Sequence, residues 1–259
     1  MHSFGPRVAV VAATFAMAAA ATAASPALAA GLVLNGGFES VTPGPNYFLG
    51  GGASLTSWTS GGYIAVYGPG GADTTGANQG GNPIYIWGPN LPGIYSTPNG
   101  LTATSPAGGN FVAMDGDQTL NVPITQTISG LNPGQRYDLS FYYAAAQWAS
   151  SDLQNWNGAS ATRFEVSIGA ATFDTAYLGI ASHGFSGWKG QSFAFTATST
   201  SEVLSFLAQS TVYGVPPIGL LDGVSISAPE PGAWMLMLVG LGGLGATTRR
   251  TRASRAIAA

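Results

Sequence analysis

The chain has 259 residues, of which 46% are hydrophobic and only 7% charged, with 38 glycines, 16 prolines and no cysteine. The missing cysteines exclude disulfides and thiolate metal sites. Between the two ends lie three basic residues, Arg136, Arg163 and Lys189, against ten acids from Glu39 to Asp222. That balance, 3 − 10 = −7, argues against nucleic acid, whose binding rests on cations that neutralise phosphates.

The N-terminus reads as a secretory signal peptide over residues 1–29. Arg7 supplies a positive start, residues 8–24 form an alanine-rich apolar run, and Ala27-Leu28-Ala29 has the small-x-small pattern of a cleavage site. An uncleaved anchor is the alternative, but so alanine-rich a run is weakly hydrophobic. No twin arginine is present, which points to the general secretory route. A cysteine-free exported domain must hold itself by the size of its core, and residues 30–228 are long enough for one.

That body opens with Asn35-Gly36-Gly37-Phe38-Glu39. A loose region follows at 42–109, crowded with Gly, Pro, Asn, Ser and Thr and interrupted by β-like pieces at 63–67 and 84–87. Its turn residues argue against helix. Trp58, Tyr63, Tyr67, Tyr85, Trp87 and Tyr95 are too many aromatics for a solvated linker, so long ordered loops with short strands are expected. From Asn110 the pattern tightens. Strands are predicted at 122–128, 136–144, 163–168, 171–177, 191–198, 202–209 and 219–227. In the second of these, alternation places Tyr137, Leu139, Phe141 and Tyr143 on one face and Arg136, Asp138, Ser140 and Tyr142 on the other. Many short strands, Gly/Pro turns and no helical segment predict an all-β body, a β-sandwich of jelly-roll type.

Catalytic signals are sparse. His183 lies in His183-Gly184-Phe185-Ser186-Gly187 without a nucleophile elbow around it. Asp115 and Asp117 lie close enough for a glycosidase pair, but so do any two neighbouring acids. The body is therefore read as non-enzymatic. Binding material is richer. Trp148 and Trp156 flank a stretch of amide and hydroxyl side chains, and aromatic faces stack on sugar rings while Asn, Gln and Asp satisfy hydroxyls. With Tyr142 they form the expected carbohydrate-contacting set. The competing reading places one or both tryptophans in the core.

Period two places Asp222 on the face of Leu220, Val224 and Ile226, where an unpaired carboxylate is costly. A hard cation such as Ca²⁺, a turn cap or a pairing with Arg163 would each neutralise it. The tail, 229–259, reads in three parts. Pro229-Glu230-Pro231 is a stiff break, residues 232–246 form an apolar run with glycines that two threonines carry on to 248, and Arg249, Arg250, Arg252 and Arg255 follow. A span needs about 20 apolar residues, with roughly 17 as the lower limit. The run is thus a marginal, short transmembrane helix, and the arginines place its end on the cytoplasmic side. Gly240-Leu241-Gly242-Gly243-Leu244-Gly245 is a literal G-x-G-x-x-G, but arginines follow it instead of a helix and an acid, so it is no dinucleotide site.

The order Pro-Glu-Pro, short span, arginine cluster resembles the PEP-CTERM sorting signal of Gram-negative bacteria that make exopolysaccharide. The resemblance implies export to the cell envelope or an extracellular matrix, transient anchoring in the inner membrane, and processing by an exosortase-type membrane enzyme. The body in turn resembles the galactose-binding-like jelly rolls of the DUF642 kind and several carbohydrate-binding modules. It does so through Asn35–Glu39, Phe111–Asp117, Gln126–Leu131 with Pro133-Gly134, and Leu221–Ser225. This implies a structural Ca²⁺ between the first and last strands, with Glu39 and Asp222 as carboxylate ligands, and binding of extracellular polysaccharide. A structural or adhesive matrix protein without a specific ligand is the opposed expectation. A polysaccharide hydrolase is the third.

Overall fold

The computed structural model describes residues 31–49, 51–149, 156–212 and 214–228. The segment read as a signal peptide and the tail, including Pro229, Glu230, Pro231, Arg249 and Arg250, lie outside the described residues. Among those described, no helix is long and apolar enough to cross a membrane.

Among the described residues, fifteen strands follow one another along the chain. The loose region contributes β1 (Val41–Thr42), β2 (Tyr47–Phe48), β3 (Ser54–Leu55), β4 (Ile64–Tyr67), β5 (Ala77–Gln79) and β6 (Asn82–Ile86), then a 3-10 turn at Gly93–Tyr95. After it come β7 (Phe111–Asp115), β8 (Ile124–Ser129), β9 (Arg136–Ala149), β10 (Ser160–Ile168) and β11 (Ala171–Asp174). The series closes with β12 (Leu178–Ile180), β13 (Lys189–Thr196), β14 (Ser201–Ser210) and β15 (Pro217–Ser227). The predicted ordered loops with short strands are therefore real, and they extend the main sheet.

Two sheets make the sandwich. The larger runs β13-β9-β15-β7-β4-β2-β5-β6, and the smaller runs β11-β10-β14-β8 with β12 also on β10. Strict alternation builds the layer between them. Along β9, Tyr137, Leu139, Phe141 and Tyr143 point inward, as predicted, and Phe164, Val166 and Ile168 on β10 and Leu204, Phe206 and Ala208 on β14 meet them. Each such Leu, Ile, Val or Phe side chain, fully buried, contributes about 1.5–3 kcal/mol. Phe206 anchors the layer, with its ring centroid 5.0 Å from Phe141 and 6.3 Å from Phe164.

The other face of the large sheet is not left to solvent. There Ala65, Tyr67, Phe111, Ala113, Ala144, Ala146, Trp148, Ile218 and Leu220 form a second apolar cluster. Leu101 from the loose region and Phe185 and Trp188 from the loop before β13 cover it. The alanines at 144 and 146 are small enough to let this loop layer approach the sheet closely. A strand buried on both faces reads as an unbroken apolar run, and the run 143–146 in β9 is one.

Candidate functional site

A cavity of about 230 Å³ opens on this outer face, where the large sheet meets the loop layer. Its wall is made by Phe48 of β2, Tyr63 just before β4, Trp148 near the end of β9, and Trp156, with Ile84, Leu120 and Pro216 around them. Asp115, Asp117 and Gln79 are its polar members. Alternation explains two of these placements. Trp148 continues the row of Ala144 and Ala146, and Asp115 continues the row of Phe111 and Ala113, so both face the loop layer. Trp148 is 2% exposed and packs on Phe48 with ring centroids 5.4 Å apart, so it forms the floor and not an open platform. Trp156 is half-buried, and Tyr63, 39% exposed, stands edge-on to Phe48 at 6.3 Å.

The two acids of the cavity are held differently. Asp117 Oδ1 accepts the Thr119 backbone N–H at 2.9 Å and its hydroxyl at 2.8 Å, and Oδ2 accepts the Gly214 N–H at 3.2 Å. Burial pushes its pKa up, but these donors outweigh it and hold the group below the usual range. Asp115 Oδ1 accepts the Asp117 N–H at 2.8 Å. Burial raises the Asp115 pKa to about 6; that hydrogen bond opposes the rise and the neighbouring Asp117 charge adds to it.

A second cluster sits where the first segment of the body meets β15. Asp222 is fully buried, but the face predicted from strict period two is only half right. The ladder between β15 and β9 shifts register between Asp222 and Ser225, where Gly223 takes a φ of +61°. Asp222 therefore shares the outer face with Leu220, while Val224 and Ile226 point into the sandwich core. Ser105 donates its hydroxyl to Asp222 Oδ2, and the Gly223 N–H donates to Oδ1 at 2.6 Å. Burial raises the Asp222 carboxyl to about 7 against these two donors, and the negative charge of Glu39 adds to the rise. Glu39 Oε1 accepts the Asn110 N–H at 2.8 Å. Arg163, the alternative partner from sequence, pairs instead with Asp174 at 2.7 Å and with Gln209.

Among the described residues no group of three or more His, Asp or Glu side chains is placed to hold a metal. Glu39 and Asp222 are nonetheless brought together, with the Ser105 hydroxyl beside them. Two neighbouring carboxylates, one buried and with no base among the groups that shift it, suit a hard divalent cation.

Tyr142 belongs with this cluster and not with the tryptophans. It pairs with Asp222 across the ladder and lies against Gly223, whereas Asp115 pairs with Ile218. Four residues of strand, about 13 Å, separate the two positions. His183 stacks on Trp87 with ring centroids 3.7 Å apart, and its Nε2 meets Asn157 Oδ1 at 2.8 Å. Its backbone N–H donates to Gln147 Oε1 at 2.7 Å. The histidine thus stitches loops together. Of the expected set only Trp148 and Trp156 line the cavity; Phe48, Tyr63 and Asp115 are among the lining residues not expected as sugar contacts, because they reach it from separate strands and no local motif joins them.

No family model matches the chain, and no curated protein matches it. Solved structures resemble it at low identity. One is TmCBM61 in complex with β-1,4-galactotriose, at 14% identity over 77% of this chain and 99% of that one, with a TM-score of 0.37. The CBM22-1 xylan-binding domain of Paenibacillus barcinonensis Xyn10C shares 12% identity over 66% of this chain and 97% of that one, with a TM-score of 0.30. The enzymatically active domain of bacteriophage CBA120 tailspike protein 4 shares 12% over 77% of this chain and 21% of that one, at 0.33.

Proposed function

We propose that the protein is a glycan-binding β-sandwich and that the outer-face cavity is its binding site. One observation carries this reading: a cavity walled by Phe48, Tyr63, Trp148 and Trp156 with Asp115 among its polar members. Apolar ring faces stack on the C–H side of a sugar, and a carboxyl satisfies its hydroxyls. Hydrolysis is disfavoured because both oxygens of Asp117 are committed to Thr119 and Gly214, so the pair does not offer two free carboxylates. The test is glycan-array binding by the purified protein, repeated with Trp156→Ala. Retention of no glycan by the wild type sinks the reading in favour of a matrix protein without a specific ligand.

The galactose-binding-like jelly-roll assignment and the address belong to the same proposal. Secretion, processing at Pro229-Glu230-Pro231 by an exosortase-type enzyme, and residence in the envelope or matrix of a Gram-negative bacterium rest on the sequence alone. For a bound Ca²⁺, the residues present would be Glu39 and Asp222, assisted by the Ser105 hydroxyl. The ion would supply charge neutralisation and a tie between the opening segment and the last strand.

A further inference from the structure

Among the described residues, the cavity has acids in its wall and no base. Asp115 and Asp117 line it, while none of Arg136, Arg163 and Lys189 does. Arg163 is held by Asp174 and Gln209 on the smaller sheet. A neutral sugar asks for hydrogen-bond donors as well as acceptors, and the Gln79 amide is the one side-chain N–H donor outside the indoles among the described lining residues. Asp117 is taken up by Thr119 and Gly214, so it is Asp115 that offers acceptance to a donor-rich group. Around them stand two indoles, a phenol and a phenyl, whose faces attract a cation by their quadrupoles. A buried carboxylate left without a counter-charge is costly, and a ligand that brings the charge removes that cost. The volume accommodates a single ring, below the 300–1,000 Å³ usual for larger ligands. Tyr63 and Leu120, 39% and 41% exposed, extend an apolar rim for the next residue of a chain.

We propose that the cavity selects the free ammonium group of a de-N-acetylated amino sugar, seated among Phe48, Tyr63, Trp148 and Trp156 and paired with Asp115. This rests on the glycan-binding reading above and names its substrate class. A hexosamine residue presents the two features the wall is built for: an apolar ring face for the aromatics and a compact cation for the carboxylate. The acetylated form loses the charge and adds bulk, and the neutral hexose loses the charge alone.

The experiment titrates the full-length protein by calorimetry with oligosaccharides that differ only at C2: ammonium, acetamide or hydroxyl, in both gluco and galacto configurations. It is run near neutral pH, above the Asp115 pKa of about 6. The ammonium oligomer is expected to bind at least about tenfold more tightly than either companion, equivalent to about 1.4 kcal/mol. Chemical acetylation of the same sample should remove the difference. Asp115→Asn should bring the three affinities together, and Tyr63→Ala, at the exposed rim, should weaken all three. Equal affinities, a preference for acetamide or hydroxyl, or binding of none of the oligomers overturns the inference. If the array shows a neutral glycan bound, the amine selectivity falls while the glycan-binding reading stands. If the array is blank, both fall.

Discussion

The carboxylates of Glu39 and Asp222 both approach Gly37, and the charge of Glu39 acts on Asp222: a Cβ placed at Gly37 would lie 3.9 Å from Glu39 Oε1 and 4.0 Å from Asp222 Oδ1. One carboxylate belongs to the opening segment of the body and the other to its last strand. Two like charges so placed repel each other unless something positive lies between them. The first prediction follows from that repulsion. Calcium at 100 times its dissociation constant should add about 2.7 kcal/mol of stability. In a domain of this size that is a rise of roughly 5 to 10 °C in melting temperature. Asp222→Asn should abolish the response. Calorimetric curves that overlay with calcium and with chelator in the wild type would remove the ion.

The same junction depends on a bare backbone. The Val224 N–H donates to the Gly36 carbonyl at 2.9 Å, and a Cβ at Gly36 would sit 2.0 Å from the Val224 carbonyl oxygen. That neighbour is main chain and cannot swing aside. Gly36→Ala should therefore destabilise the protein by about 2 to 4 kcal/mol, within the upper range for point changes. Urea denaturation measures it, and a change below about 0.5 kcal/mol would show that the segment relocates freely.

The two tryptophans should separate in mutagenesis. Trp148→Ala opens a hole beneath Phe48 in a packed cluster and should cost about 3 to 5 kcal/mol. Trp156→Ala touches a half-buried wall and should leave the melting temperature within a few degrees while weakening glycan retention. Equal losses of stability for both variants would place Trp156 in the core as well.

The pH dependence of stability isolates Asp115. Its folded pKa, about 6, lies above the unfolded value near 3.8, so the folded state holds the proton more tightly. Its contribution is then fully present below about pH 4 and is lost as pH rises through about 6, by up to about 3 kcal/mol. Asp115→Asn should flatten the difference between wild type and variant above pH 6 and leave the variant relatively more stable there. Chemical denaturation across pH 4 to 8 gives the curve. A difference that does not vary with pH would mean Asp115 ionises as freely as in a peptide.

For the tail, mature protein isolated from envelope and medium should lack Arg249, Arg250, Arg252 and Arg255, and mass spectrometry of the C-terminus reads this directly. An intact end on the mature protein sinks the processing proposal.

Local alternation was legible and long-range assembly was not. The inward row of β9 followed from the period of Tyr137, Leu139, Phe141 and Tyr143, because a sheet face buried on one side enforces that period. Asp222 was legible as buried and as a neighbour of Leu220, but not as lying opposite Val224 and Ile226, since one glycine with positive φ shifts every later side chain to the opposite face. The aromatics between Tyr63 and Tyr95 signalled order, yet their partners could not be read. Tyr63, Asp115 and Trp148 meet only because β4, β7 and β9 lie in one sheet, and that pairing leaves no trace in any short stretch.

The place of β15 sets a timing for the whole molecule. It is the final strand among the described residues and yet lies inside the large sheet, with β9 on one side and β7 on the other. A chain made or threaded from its N-terminus therefore presents two open, hydrogen-bond-hungry edges until Ser227 has emerged. The large sheet closes in one late step, across contacts distant in sequence, and such closure is slow. Any fragment ending before Pro217 should associate with its own copies through the unfilled slot.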